Sequence, residues 1–172
     1  MKNIIISDVT LRDGNHAVRH QINKNIINIY SKFAEKNKID ILEVGHGNGL
    51  GASSLTIGKS KVSNNDAIKL AKKNLKNTKL SVHSIPGFST LDDVKSAIDC
   101  GANIIRIGCN SSDIDIIERQ FLYCKKNKIE SWCVFMMFHQ IYFNGKYISI
   151  VKNLKKLGVK TFIVMDSAGI LL

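Results

Sequence analysis

Six short runs rich in Ile, Val and Leu recur along the chain: "NIIISDV", "DILEVG", "KLSVHSI", "NIIRIGC", "SWCVFMMF" and "TFIVMD". Each is bounded by polar or glycine-containing residues, as expected of strands buried on both faces of a parallel sheet. Between them lie segments with helical spacing: Ile22 to Lys36, Asn65 to Leu75, Leu91 to Cys100, Ile114 to Lys126 and Tyr147 to Leu157. In the second, Ala67, Leu70, Ala71 and Leu75 form one apolar stripe, and Lys69, Lys72, Lys73 and Lys76 fill much of the rest. Strands alternating with amphipathic helices predict βα units. Thr90 is placed to cap the helix that begins "LDDV", with Asp92 and Asp93 in its first turn. Gly101 and Gly158 are placed to end their helices.

Two α/β architectures accommodate this pattern. One is an open doubly wound sheet; the other is an incomplete (β/α) TIM-barrel type with about six of the eight βα units. Polar residues gather after several strand ends: Arg12, Asp13 and His16 after the first, His46 after the second, and His83 and Ser84 at the third. Asn110, His139, and Asp166 with Ser167 follow at the fourth, fifth and sixth. Chemistry drawn from many strand ends is the barrel arrangement, whereas a doubly wound sheet concentrates it at one switch point. No linker or low-complexity tract divides the chain, so residues 1–172 are expected to form a single barrel-type domain.

The formal charge of +11 comes mostly from lysines scattered through "KNKID", "KLAKKNLKNTK" and "CKKNKIE". Without a basic stripe, interleaved aromatics or a binding motif, this charge does not predict a nucleic-acid partner. It suits solvated helix faces and attraction for acidic substrates. Cys100, Cys109, Cys124 and Cys133 show neither a CxxC pair nor zinc-type spacing and are expected to be reduced. "MKNIIISD" lacks the form of a signal peptide, and no run approaches the roughly 20 apolar residues of a membrane span. A cytoplasmic protein with no membrane partner is expected.

The densest chemistry lies in "ISDVTLRDGNHAVRHQ". Asp13 can hold a hard divalent cation, and Arg12 beside it can stabilise an oxyanion. The plainer alternative is a surface ion pair. Gly14 lets the chain turn at the strand end, so that His16 can return as a general base. His20 is expected to pack or cap. "VGHGNGLGASS" lets a loop lie close to a ligand but lacks the phosphate-loop and dinucleotide spacings. His46, His83 and His139 are expected to be hydrogen-bonded structural histidines, and "FMMF" to be strand core.

"DVTLRDGNHAVRHQ", "LEVGHGNGLGASS", "PGFSTLDDVKSAIDCGANIIRIG", "FMMFHQ" and "MDSAGILL" occur in the order and spacing of the 4-hydroxy-2-oxovalerate aldolases. The chain resembles that family, part of the HMG-CoA-lyase-like group of metal-dependent barrel enzymes, from end to end. Related acyl-CoA condensing synthases share Arg-Asp-Gly but usually follow it with a Glu-Gln type pair, so the histidine of "RDGNHA" favours the aldolases. The resemblance implies a carbon-carbon lyase that cleaves a 4-hydroxy-2-oxo acid to pyruvate and a short aldehyde. Asp13 would ligate Mn²⁺ or a similar ion that acts as Lewis acid and template. Arg12 would bind the substrate and stabilise the pyruvate enolate. His16 would take the proton from the 4-hydroxyl, and Ser167 would help hold the carboxylate.

The sequence departs from the family in three places. No His-x-His pair is present to complete the metal site, so Asp13 with waters is expected to bind the ion weakly. The family's C-terminal helical region, which docks an aldehyde dehydrogenase, is absent, and that partner is not expected. "RIGCNSSD" lacks a histidine that related aldolases place near Asn110. With Leu172 following the sixth strand, open sheet edges predict self-association or a complementing chain. Two alternatives stay open: a non-catalytic or split-barrel remnant acting through a partner chain, and a synthase that condenses an acyl-CoA with a 2-oxo acid.

Overall fold

The computed structural model describes residues 4–110, 113–143 and 145–170. Ser111 and Ser112 of "RIGCNSSD", and Leu171 and Leu172 at the end of "MDSAGILL", lie outside the described residues. The strands are β1 (Ser7–Leu11), β2 (Ile41–Val44), β3 (Lys79–Ser84), β4 (Ile104–Asn110), β5 (Glu130–Met136) and β6 (Thr161–Val164). Helices α1 (Lys24–Lys36), α2 (Asn64–Asn74), α3 (Leu91–Asp99) and α4 (Ile114–Lys126) follow β1 to β4 in turn. A short α5 (His139–Tyr142) and α6 (Tyr147–Lys156) connect β5 to β6.

The sheet order is β1-β2-β3-β4-β5-β6, the order of the chain. A doubly wound sheet must reverse direction at a switch point. The absence of any reversal leaves the sequential winding of a (β/α) barrel, with six of its strands present among the described residues. The residues fall into two compact units, Met1–Ile104 and Ile105–Leu172.

In the first unit, β1, β2 and β3 pair in parallel, with Ser7 opposite Ile41, Asp8 opposite Leu42, and Glu43 opposite Ser81. Between Asp8 and Leu11 the register shifts, so that Leu11 faces Val44. Three steps along β1 thus match two along β2, a bulge that re-aims the end of the strand. Every residue of β2 is buried. Helix α1 starts later than its apolar spacing predicts because Asn23 caps it, accepting from the Ile26 N–H at 2.9 Å. Ser63 caps α2 in the same way. Thr90 caps α3 as expected, with Asp93 completing a reciprocal capping box. The core between sheet and helices is built on Leu42, Ile68, Leu80, Val82 and Val94.

In the second unit, β5 and β6 pair in parallel from Trp132 opposite Thr161 to Phe135 opposite Val164. Ile117, Phe121 and Cys124 of α4 and Leu154 of α6 are buried. Phe135 stacks on Phe162 with ring centroids 6.0 Å apart. The expectation that all of "FMMF" is strand core is corrected at its second half. Strand β5 ends at Met136, and Met137 takes a left-handed φ of 52° that turns the chain out of the sheet. Among the described residues, no helix is long and apolar enough to cross a membrane.

Candidate active site

The bulged end of β1 delivers Arg12 into contact with the buried strand beside it. Arg12 Nε donates to Glu43 Oε1 at 2.6 Å, while Nη1 donates to Asp13 Oδ1 at 2.7 Å and to the Gly47 carbonyl at 3.2 Å. The Arg12 side chain is 12% exposed and that of Glu43 is fully buried. Ser81 Oγ, one strand over, donates to Glu43 Oε2 at 3.4 Å. A guanidinium so held has one edge fixed, leaving Nη2, which bonds no described residue, to meet an oxyanion. The Arg12–Asp13 ion pair is therefore only the outer part of a network anchored in the sheet.

Asp13, Gly14 and Asn15 form a single 3-10 turn that brings His16 back over the same strand end. Asn15 is buried and ties this turn down, its Nδ2 donating to the Gly45 carbonyl at 3.0 Å. The His16 ring is exposed and lies edge-on to His20, with centroids 5.1 Å apart. His20 stacks on His46 at 3.7 Å. His46 is fully buried; its Nδ1 accepts from the Asn48 N–H, and its Nε2 donates to the Gly58 carbonyl, both at 3.0 Å. Burial pushes the pKa of His20 below the usual histidine range, and the neighbouring His46 and His16 add to the effect. Burial likewise lowers His46, against the opposing hydrogen bond to Gly58. Both rings are therefore neutral near pH 7.

Alternate glycines let the β2–α2 loop approach these rings. A Cβ on Gly47 would collide with His16 Nε2, and one on Gly49, at φ 90°, with the His83 carbonyl oxygen. His83 is buried in β3, and its carbonyl accepts from the Leu50 N–H at 2.8 Å.

The remaining sequence-predicted positions belong to the second unit. Ser167 is exposed and its Oγ accepts from the Met137 N–H at 3.1 Å; Asp166 Oδ1 accepts from the Ile170 N–H at 3.1 Å. Asn110 is the last residue of β4 rather than a loop residue. His139 Nδ1 is buried without a hydrogen-bond partner among the described residues.

Two site residues were missed in the sequence, Glu43 and Asn15. Glu43 carried a signal: it is the one carboxylate inside the apolar run "ILEV", and a charge in a buried strand needs a cation. Asn15 carried none beyond its place between Gly14 and His16.

The metal centre implied by the resemblance is not completed by these residues. Among the described residues, no group of three or more His, Cys, Asp or Glu is arranged to hold a metal ion. Asp13 is a single carboxylate, 61% exposed, with one oxygen already committed to Arg12.

Fold and site together define a βα-barrel-type protein with an Arg-Asp pair and a histidine delivered by the end of its first strand. The HMGL-like family profile matches residues 3–172, and the chain belongs to the HMGL-like family. It is 39% identical over 165 residues to 4-hydroxy-2-oxovalerate aldolase 2 of Salinispora arenicola, covering 95% of this chain and 47% of that protein. It is equally identical over 170 residues to the 4-hydroxy-2-oxovalerate aldolase of Spirochaeta aurantia, covering 96% and 49%. The chain thus spans about half the length of the curated relatives it matches. Two solved structures share the fold. The N-terminal domain of a Bacteroides vulgatus protein superposes with a TM-score of 0.79 at 22% identity, over 96% of this chain and 55% of that one. The carboxyl transferase domain of Rhizobium etli pyruvate carboxylase gives 0.77 at 16%, over 100% and 32%.

Proposed function

We propose that this chain carries the enolate-stabilising and proton-accepting part of a carbon-carbon lyase that cleaves a 4-hydroxy-2-oxo acid to pyruvate and a short aldehyde. The observation that carries the reading is the Arg12 guanidinium, fixed by the buried Glu43 and bonded to the carbonyl of Gly47, the residue whose missing Cβ makes room for the His16 ring. The names of the relatives support the substrate class.

In the cleavage direction His16 accepts the proton of the C4 hydroxyl. The C4–O electrons close to the aldehyde carbonyl and the C3–C4 bond breaks. Its electron pair moves into a C2–C3 double bond, leaving negative charge on the C2 oxygen. Arg12 donates hydrogen bonds to that oxygen where the charge develops, the electrostatic task that usually lowers such barriers most. Protonation at C3 then releases pyruvate. Glu43 holds the guanidinium in place, so that little reorganisation accompanies the step.

The test is pyruvate release from 4-hydroxy-2-oxopentanoate across a range of added Mn²⁺. Turnover that falls on Arg12→Lys, Asp13→Asn and His16→Gln supports the reading. No turnover by the unaltered chain at any metal concentration overturns it. Thiol release from acetyl-CoA and a 2-oxo acid would point to the synthases instead.

A further inference from the structure

We propose that His20, stacked on His46, is a positioning residue for His16, setting the orientation of its imidazole through ring packing. The inference rests on the reading of His16 as the base.

A histidine base is ordinarily oriented by the hydrogen bond that its second ring nitrogen makes. The His16 ring makes no hydrogen bond with the described residues; its neighbours are the edge-on ring of His20 and, 6.5 Å away, that of His46. An exposed imidazole without a partner would sample several rotamers. Here its freedom is limited by what it packs against.

The platform beneath it is rigid. His46 is held at both ring nitrogens, by the Asn48 N–H and the Gly58 carbonyl, which fixes one tautomer and one ring plane. His20 lies nearly parallel to it, 17° between planes, and its Nδ1 accepts from the Gly47 N–H at 3.4 Å. Its backbone is pinned on both sides, the N–H to the Asn15 carbonyl at 2.7 Å and the carbonyl to the Lys61 N–H at 3.0 Å.

The chain accepts backbone strain to achieve this placement. Arg19 and His20 stand at φ 51° and 62°, a region that residues with side chains avoid. Two missing side chains make the room: a Cβ on Gly47 would overlap the His16 ring, and one on Gly58 would stand 2.8 Å from His20 Cδ2. Strain and paired glycines around one ring stack are more than burial of two histidines requires. They leave room for the His16 ring to rest against the edge of His20.

The test uses the whole chain labelled with ¹³C and ¹⁵N, whose five histidines give a readable imidazole spectrum. His16 is assigned through His16→Gln. Replacing His20 by Ala should move the His16 Cε1–Hε1 resonance toward its solvent-exposed value, as the ring-current field of His20 is lost. The same variant should lower kcat for pyruvate release by ~10–100-fold, the scale of a misplaced reacting group, without raising KM. His20→Phe, which keeps an aromatic ring at the position, should restore both. If His20→Ala does not fold, His20→Leu fills the volume without a ring and takes its place. An unchanged His16 resonance overturns the proposal, as does a shifted resonance with kcat unaltered. If the unaltered chain releases no pyruvate, the activity reading fails on its own and the resonance alone decides the positioning.

Discussion

Arg12 Nε stands 2.6 Å from Glu43 Oε1, and Glu43 sits on a strand with no exposed residue. The two partners are unequal in what they leave behind. Arg12→Ala leaves a carboxylate in the sheet without the guanidinium that pairs with it, and the loss of folding stability should be about 3–5 kcal/mol. Glu43→Gln leaves an arginine that still reaches Asp13 and the Gly47 carbonyl, and should cost about 1.5–3 kcal/mol. Urea unfolding of the two variants measures the difference. Equal losses would mean that the sheet does not bury this carboxylate.

Two glycines of one loop should behave in opposite ways. Gly47 lies outside the left-handed region, and the nearest atoms to its added Cβ belong to the His16 ring, which is exposed and able to swing away. Gly47→Ala should therefore change stability by less than about 1 kcal/mol while displacing His16 and lowering pyruvate release. Gly49 stands at φ 90°, and its Cβ meets the immovable His83 carbonyl. Gly49→Ala should cost about 1–3 kcal/mol or more from backbone strain alone. Thermal melts and the pyruvate assay on the same preparations separate the two effects.

The parts of the molecule legible in its sequence are those governed by local pattern. The apolar runs found all six strands, and Thr90, Gly101 and Gly158 marked helix ends where the backbone needs a cap or a positive φ. The late start of α1 at Lys24 was hidden because Ile22 continues the apolar spacing although Asn23 is the cap. At the site, Arg12, Asp13 and His16 lie within one turn of chain and could be read together. Glu43 is 31 residues from Arg12, and only the pairing of β1 with β2 makes them neighbours. The stack of His20 on His46 joins two loops in the same way, and nothing in the spacing of either residue announces it.

The four cysteines should separate cleanly in reactivity. All are free, and Cys109, Cys124 and Cys133 are buried, while Cys100 is partly exposed. Burial pushes the thiols of Cys109 and Cys124 up to about 12, and that of Cys133 higher still. Since the thiolate is the nucleophile, these three should stay unmodified at pH 8 in the folded chain. Mass spectrometry after brief iodoacetamide treatment should find the label on Cys100, and urea should release the other three.

Glu35 predicts how the fold responds to acid. Its carboxylate, at the end of α1, accepts from the backbone N–H groups of Lys76, Asn77 and Thr78 and from Asn77 Nδ2, clamping the turn between α2 and β3. The Thr78 N–H is the largest influence, opposed by partial burial and reinforced by Asn77 and Lys76. Together they hold the carboxyl at about 2 against an ordinary 4.5. A carboxyl whose pKa is depressed by folding stabilises the fold fully above its unfolded value. That contribution declines as pH falls from 4.5 and is nearly gone at about 2. The group is partly exposed, so solvent screening reduces its worth to about 1–2 kcal/mol. Glu35→Gln keeps an acceptor oxygen but removes the charge. The gap in urea midpoint between the unaltered chain and this variant should be constant from pH 6 to 7, then close as the pH approaches the folded value. A gap that persists undiminished in acid would show that the clamp does not depend on the ionised carboxylate.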